Sequence, residues 1–104
     1  MIDPAQLSPK EREVYERVTS VRDPEFGQTI GQRQLIDEVK VDGDTVFINY
    51  HLTVPFCPDI FAFYIGSEIR KRALEVEGIK RAIVRVKDHI HAEELNKKFQ
   101  EEEA

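Results

Sequence analysis

The run from Thr45 to Thr53 constrains the fold more than any other part of the chain. Val46, Ile48, Tyr50 and Leu52 alternate with Thr45, Asn49, His51 and Thr53, the period-two pattern of a strand with one core face and one wetter face. Upstream, Leu35 to Val41 reads as a second strand, with Asp37, Val39 and Val41 expected on one face and Ile36, Glu38 and Lys40 on the other. Asp42-Gly43-Asp44 joins the two as a hairpin turn. Downstream, Ile79 to Lys87 reads as a third strand, Ala82, Val84 and Val86 alternating with Arg81, Arg85 and Lys87.

Helical patterns flank these strands. Ser8-Pro9-Lys10-Glu11 has Ser at the N-cap, Pro at the first helical position and Glu three residues after the cap, the signature of a capping box. With Val14, Val18 and Val21 at helical spacing, this predicts a helix from Pro9 to about Arg22, ended by Asp23-Pro24 because the residue before proline leaves the helical region. After Cys57-Pro58 the stripe Phe61, Ile65, Ile69, Ala73 and Val76 predicts a longer helix closing at Gly78. Gly66 inside it is a poor helix former and marks a close backbone approach. Ala92 to about Glu102 reads as a short helix with Leu95 and Phe99 four apart, fraying over 101–104, and residues 1–7 form a leader without pattern.

The order helix, strand, strand, helix, strand, with a short helix appended, implies a single α+β domain spanning 1–104. It is a two-layer αββαβ sandwich on a three-stranded mixed sheet. In an antiparallel hairpin the end of the second strand lies beside the start of the first. A right-handed crossover through the long helix makes the third strand parallel to the second. Three distant segments are therefore expected at one end: Asp23 to Gly27, Thr53 to Pro58, and Asp88 to His91.

Composition narrows the setting. No apolar run approaches the roughly 20 residues needed to span a bilayer, so no membrane partner is expected. A net charge of −5 disfavours nucleic acid, whose phosphates select clustered Lys and Arg. The start lacks a secretory signal pattern and the single cysteine can make no internal disulfide, which together favour a reducing, cytoplasmic location.

The candidate residues each have a plainer reading. Cys57 beside a helix N-cap is favoured as thiolate by backbone N–H groups and the helix dipole, with Asp59 in the same turn working against that effect. A buried free cysteine also packs as a small hydrophobe. His89 and His91 lie two apart and can share a metal, with Cys57 completing a Cys/His set for zinc or iron, or they are surface histidines at a strand end. Asp23 and Glu25 are metal-site contacts or ordinary turn residues. No serine elbow, phosphate-binding glycine loop or CxxC is present, so the sequence does not nominate an enzyme.

The motifs Asp23-Pro24-Glu25-Phe26-Gly27 and Leu52-Thr53-Val54-Pro55-Phe56-Cys57-Pro58, in that order, resemble the SufT/PaaD-like family of iron-sulfur assembly proteins, the domain of unknown function 59. The resemblance runs from about Val14 to Val86. It implies an iron-sulfur assembly domain fold, distantly KH-like, with Cys57 as the cluster or metal contact and Thr53, Asp23 and Glu25 around it. The family's tryptophan-containing tail is replaced here by Asp88-His89-Ile90-His91-Ala92-Glu93-Glu94-Leu95-Asn96, and the extra cysteines of the PaaD branch are lacking.

The expected function is an accessory of iron-sulfur cluster assembly that binds or transfers a cluster or iron to client apoproteins through Cys57. The cofactor would be transient, shared across a homo-oligomer or with a partner, because one thiolate supplies only one of the roughly four ligands that a [2Fe-2S] centre needs. The alternative is a metal-free adaptor that bridges assembly factors and clients. A KH-like nucleic-acid module is disfavoured by the acidic balance and by the lack of a Gly-x-x-Gly turn between helices.

Overall fold

The computed structural model describes residues 3–23, 27–52 and 58–103. After a 3-10 turn at Pro4–Gln6 come α1 (Pro9–Val18), β1 (Ile36–Asp42), β2 (Thr45–His51), α2 (Asp59–Leu74), β3 (Arg81–Lys87) and α3 (Ala92–Glu103). The described strands form one sheet in the order β1-β2-β3. The β1 and β2 strands are antiparallel, and β2 and β3 are parallel. This is the mixed αββαβ sandwich with an added helix that the element order implies, and β3 takes the free edge beside β2.

One sheet face carries the core. Val46, Ile48 and Tyr50 of β2 and Ala82, Val84 and Val86 of β3 are buried against Ala62, Ile65, Ile69 and Ala73 of α2, with Val14 and Val18 of α1 alongside. The opposite face is more open, with Phe47 and Asn49 between charged residues of the neighbouring strands. Gly66 marks a close approach, as its place in a helix suggests. A Cβ there would strike the Phe99 ring and come within 2.7 Å of the Tyr50 hydroxyl. That hydroxyl is buried and donates to the Ala62 carbonyl at 2.8 Å.

Three boundaries differ from expectation. The first helix stops at Val18 rather than Arg22, because the Thr19 and Ser20 hydroxyls bond the Glu16 and Arg17 carbonyls and so compete with the helical ladder. Val21 stays buried without being helical, and Ile30 is buried next to an isolated Arg22–Thr29 bridge. The second helix ends at Leu74, and Gly78 takes φ +90 as the chain turns into β3. Residues 101–103 continue α3 instead of fraying.

A bulge between Ile36 and Glu38 shifts the phase of β1. Ile36 and Val39 are therefore both buried, and Asp37 moves out of the expected Val39–Val41 row. Its carboxylate instead meets His51 Nδ1 at 2.9 Å and Lys87 Nζ at 3.7 Å.

Helix side chains occupy both edges of the sheet. On β3, Asn96 accepts from the Val86 N–H at 2.8 Å and donates to the Val86 carbonyl at 3.1 Å. Glu103 accepts from the Val84 N–H at 3.1 Å and from Arg85 at 2.9 Å. On β1, the Val41 N–H donates to Glu11 Oε2 at 2.9 Å, while Glu11 Oε1 accepts from the Ser8 N–H at 3.0 Å in the capping box.

These backbone donors, Val41 first and then Ser8, hold the Glu11 carboxyl below its ordinary value of 4.5. The stability it contributes is present above that unfolded value and is lost as pH falls through the lower folded value. Glu11→Ala should cost about 1–2 kcal/mol at pH 7, with the deficit shrinking in acid. Urea titrations of both proteins at pH 7 and pH 3 check this, and an equal deficit at both would refute the assignment.

Candidate functional site

The strand directions bring the described parts of the expected segments, Asp23, Gly27, Pro58 and residues 88–91, to one end of the molecule. At that end the His51 N–H donates to the Leu35 carbonyl at 2.9 Å. Arg33, two residues before Leu35, holds the Asp23 carboxylate at 2.6 Å, and both side chains are largely buried. Asp23 also anchors its loop through the backbone, accepting from the Gly27 N–H and donating to the Gln28 carbonyl, each at 2.8 Å. Gly27 takes φ +75, a left-handed conformation that favours glycine. Glu25, Thr53 and Cys57 lie outside the described residues.

The start of α2 and the 88–91 turn meet at Asp59. Pro58 is the N-cap of α2 with no side-chain capping bond, and Asp59 opens the helix, where a carboxylate suits the dipole. Across from it, Asp88 at the end of β3 takes φ +61, a left-handed turn that aspartate tolerates better than most residues. The His91 N–H then reaches back to His89 Nδ1 at 2.9 Å. His91 Nδ1 bonds both Asp59 carboxylate oxygens at 2.9 Å, and His89 Nε2 lies 3.8 Å from Asp59 Oδ1.

Burial divides the three roles. The His89 side chain is 1% exposed, whereas Asp59 and His91 are each about half exposed. One ligand atom from each of the three residues lies within 4.8 Å of the others, so the group could hold a metal ion. His89 and His91 are thus together, as their spacing suggests. Asp59 is the member that sequence reasoning missed, having counted it only as an opponent of a thiolate. His51 is engaged elsewhere, with Asp37.

The hydrogen bond to Asp59, reinforced by the charge attraction, raises the His91 imidazole above its ordinary 6.5. The stabilisation from this pair is complete below the unfolded value and is lost as pH rises through the raised folded one. An NMR titration of metal-free protein should show His91 titrating above 6.5, and Asp59→Asn should bring it back down. A titration indifferent to Asp59→Asn would count against this cause.

Large apolar side chains flank the group. Ile60, next to Asp59, is 73% exposed and Ile90, between the two histidines, is 62% exposed. Tyr64, one turn along α2, is exposed as well. No helix among the described residues is long and apolar enough to cross a membrane.

Comparison with known proteins gives this geometry its context. An uncharacterized protein of Methanocaldococcus jannaschii is 28% identical over 93 residues, covering 88% of this chain and 95% of that protein. A crystal structure of a domain of unknown function, DUF59, from Bacillus anthracis superposes with a TM-score of 0.71 at 25% identity, covering 82% of this chain and 80% of that one. The family model for iron-sulfur cluster assembly proteins matches residues 11–86. That span takes in the two motifs and Asp59 and stops before His89, His91 and α3. With most of its length inside the match, the chain belongs to the iron-sulfur cluster assembly protein family.

Proposed function

We propose that the protein is an accessory of iron-sulfur cluster assembly that takes up a cluster or iron through the Cys57 thiolate and hands it to client apoproteins. Family membership supports the general role. The observation that favours a carrier is the setting of Asp59, two residues beyond Cys57 in the chain and within 2.9 Å of His91. Cys57 is therefore close in sequence to a group of side chains that could hold a metal ion.

One thiolate supplies about a quarter of the ligands of a [2Fe-2S] centre, so the remainder come from a second copy, a client, a small thiol or the histidines. Coordination shared in this way suits transfer rather than storage. Thr53, Asp23 and Glu25 shape the surroundings of the thiol in this reading, and the reducing conditions of the cytoplasm suit it. The chain acts as a carrier and not as an enzyme.

The exposed Ile60, Tyr64 and Ile90 favour a second reading. Apolar side chains grouped on a surface mark protein contacts, as a metal-free adaptor between assembly factors and clients would need. Anaerobic reconstitution with iron and sulfide, followed by visible absorbance in wild type and Cys57→Ser, separates the two. The carrier requires a chromophore that Cys57→Ser loses, whereas a colourless wild type at high protein concentration means the adaptor.

A further inference from the structure

Asp59, His89 and His91 form a ligand set of their own, drawn from the start of α2 and the turn between β3 and α3. Two imidazoles and one carboxylate make a mixed nitrogen and oxygen set. Imidazole suits zinc, copper(II), iron and nickel, whereas magnesium and calcium prefer all-oxygen sites and copper(I) prefers sulfur. We propose that these three residues bind a single divalent first-row transition-metal ion, of the zinc(II) or iron(II) class, without help from Cys57. Two of the three lie beyond the span that the family model matches, so membership of the family does not by itself imply the site.

The geometry is close to what such an ion needs. Bonds of about 2.0–2.1 Å separate the ligands of a tetrahedral centre by roughly 3.3 Å, less than the 4.8 Å span here. The buried His89 is the fixed point, and the half-exposed Asp59 and His91 rotate inward to close the difference. Because those two reach the surface, the fourth position opens outward to water or to a ligand from another protein.

Binding leaves a signature in the turn. His89 Nδ1 accepts from the His91 N–H at 2.9 Å. If the ion takes Nδ1, that lone pair is used; if it takes Nε2, the ring proton must sit on Nδ1. Either way the His91 amide loses its acceptor.

The test is titration of the full chain with zinc(II) and, separately, cobalt(II), read by calorimetry, by cobalt d–d absorbance and by the amide resonances. One cobalt per chain is expected, with visible d–d bands and no near-ultraviolet thiolate charge-transfer band. Asp59→Asn and His91→Ala, both at half-exposed positions, should each weaken binding at least tenfold, at the low end of what even outer-shell changes at metal sites cost. Cys57→Ser should bind as wild type does, and zinc should shift the His91 amide.

No binding to wild type, wild-type affinity in both Asp59→Asn and His91→Ala, or an unmoved His91 amide would each overturn the site. Loss of cobalt in Cys57→Ser would overturn it too, while leaving the thiolate carrier standing. A chromophore-free iron-sulfide reconstitution removes that carrier without touching this proposal.

Discussion

Truncating Phe99 to alanine should lower the unfolding free energy by about 3–5 kcal/mol, a large share of the 5–15 kcal/mol typical of a domain. The ring is wholly buried, stacked on Phe63 at 5.2 Å between centroids and edge-on to Tyr50 at 6.5 Å. Only Leu95 and Phe99 are buried along α3, so losing the ring removes one of that helix's two buried side chains. The Asn96 and Glu103 contacts to β3 weaken with it. Gly66→Ala attacks the same contact from the other side and should cost about 1–3 kcal/mol through overpacking, despite alanine's better helix propensity. Pairing Gly66→Ala with Phe99→Leu should cost less than the sum of the two, because the smaller side chain relieves the clash. Urea denaturation of the four proteins measures this, and strict additivity would show that the two positions do not compete for space.

Cys57→Ser should abolish nearly all cluster loading, and the wild-type chromophore should depend on concentration in a particular way. With one thiolate per chain and about four ligands per cluster, loading at low protein concentration should rise faster than in proportion to protein. An excess of a small thiol should remove that dependence by supplying the missing sulfur ligands. A chromophore proportional to protein at every concentration, with no added thiol, would mean that a single chain holds the cluster. The shared-ligand model would then fail, and the imidazoles would be the first candidates for its remaining ligands.

Local chemistry explains what could be read in advance. The capping box at Ser8 and Glu11, the hairpin turn, the alternation in β2, the pairing of Leu95 with Phe99 and the tight approach at Gly66 depend on spacing within a few residues. The parallel β2–β3 pairing follows from the handedness of crossovers. Non-local effects hid the rest. The end of α1 depends on hydroxyls competing for carbonyls, and the bulge that redirects Asp37 shows only once β1 is paired with β2. Ile30 reaches the core from a loop without periodicity. Asp59 meets His91 across 32 positions, a contact that no local pattern carries. Asp23 is gripped by Arg33, which nothing in the motif points to, while Glu25, Thr53 and Cys57 lie outside the described residues.

The side chains along the sheet edges bear on self-association. A bare edge strand is a template for another chain, and proteins guard such edges to avoid pairing there. Here a strand adding beside β3 would have to displace Asn96 from both polar groups of Val86 and Glu103 from Val84. One adding beside β1 would have to displace Glu11 from Val41 and so disturb the start of α1. Continuous intermolecular β-pairing, the route to fibrils and to strand-exchanged dimers, is therefore penalised at both borders. A second copy sharing a cluster, as the proposed carrier would need, would therefore have to meet this chain through a surface other than a sheet edge.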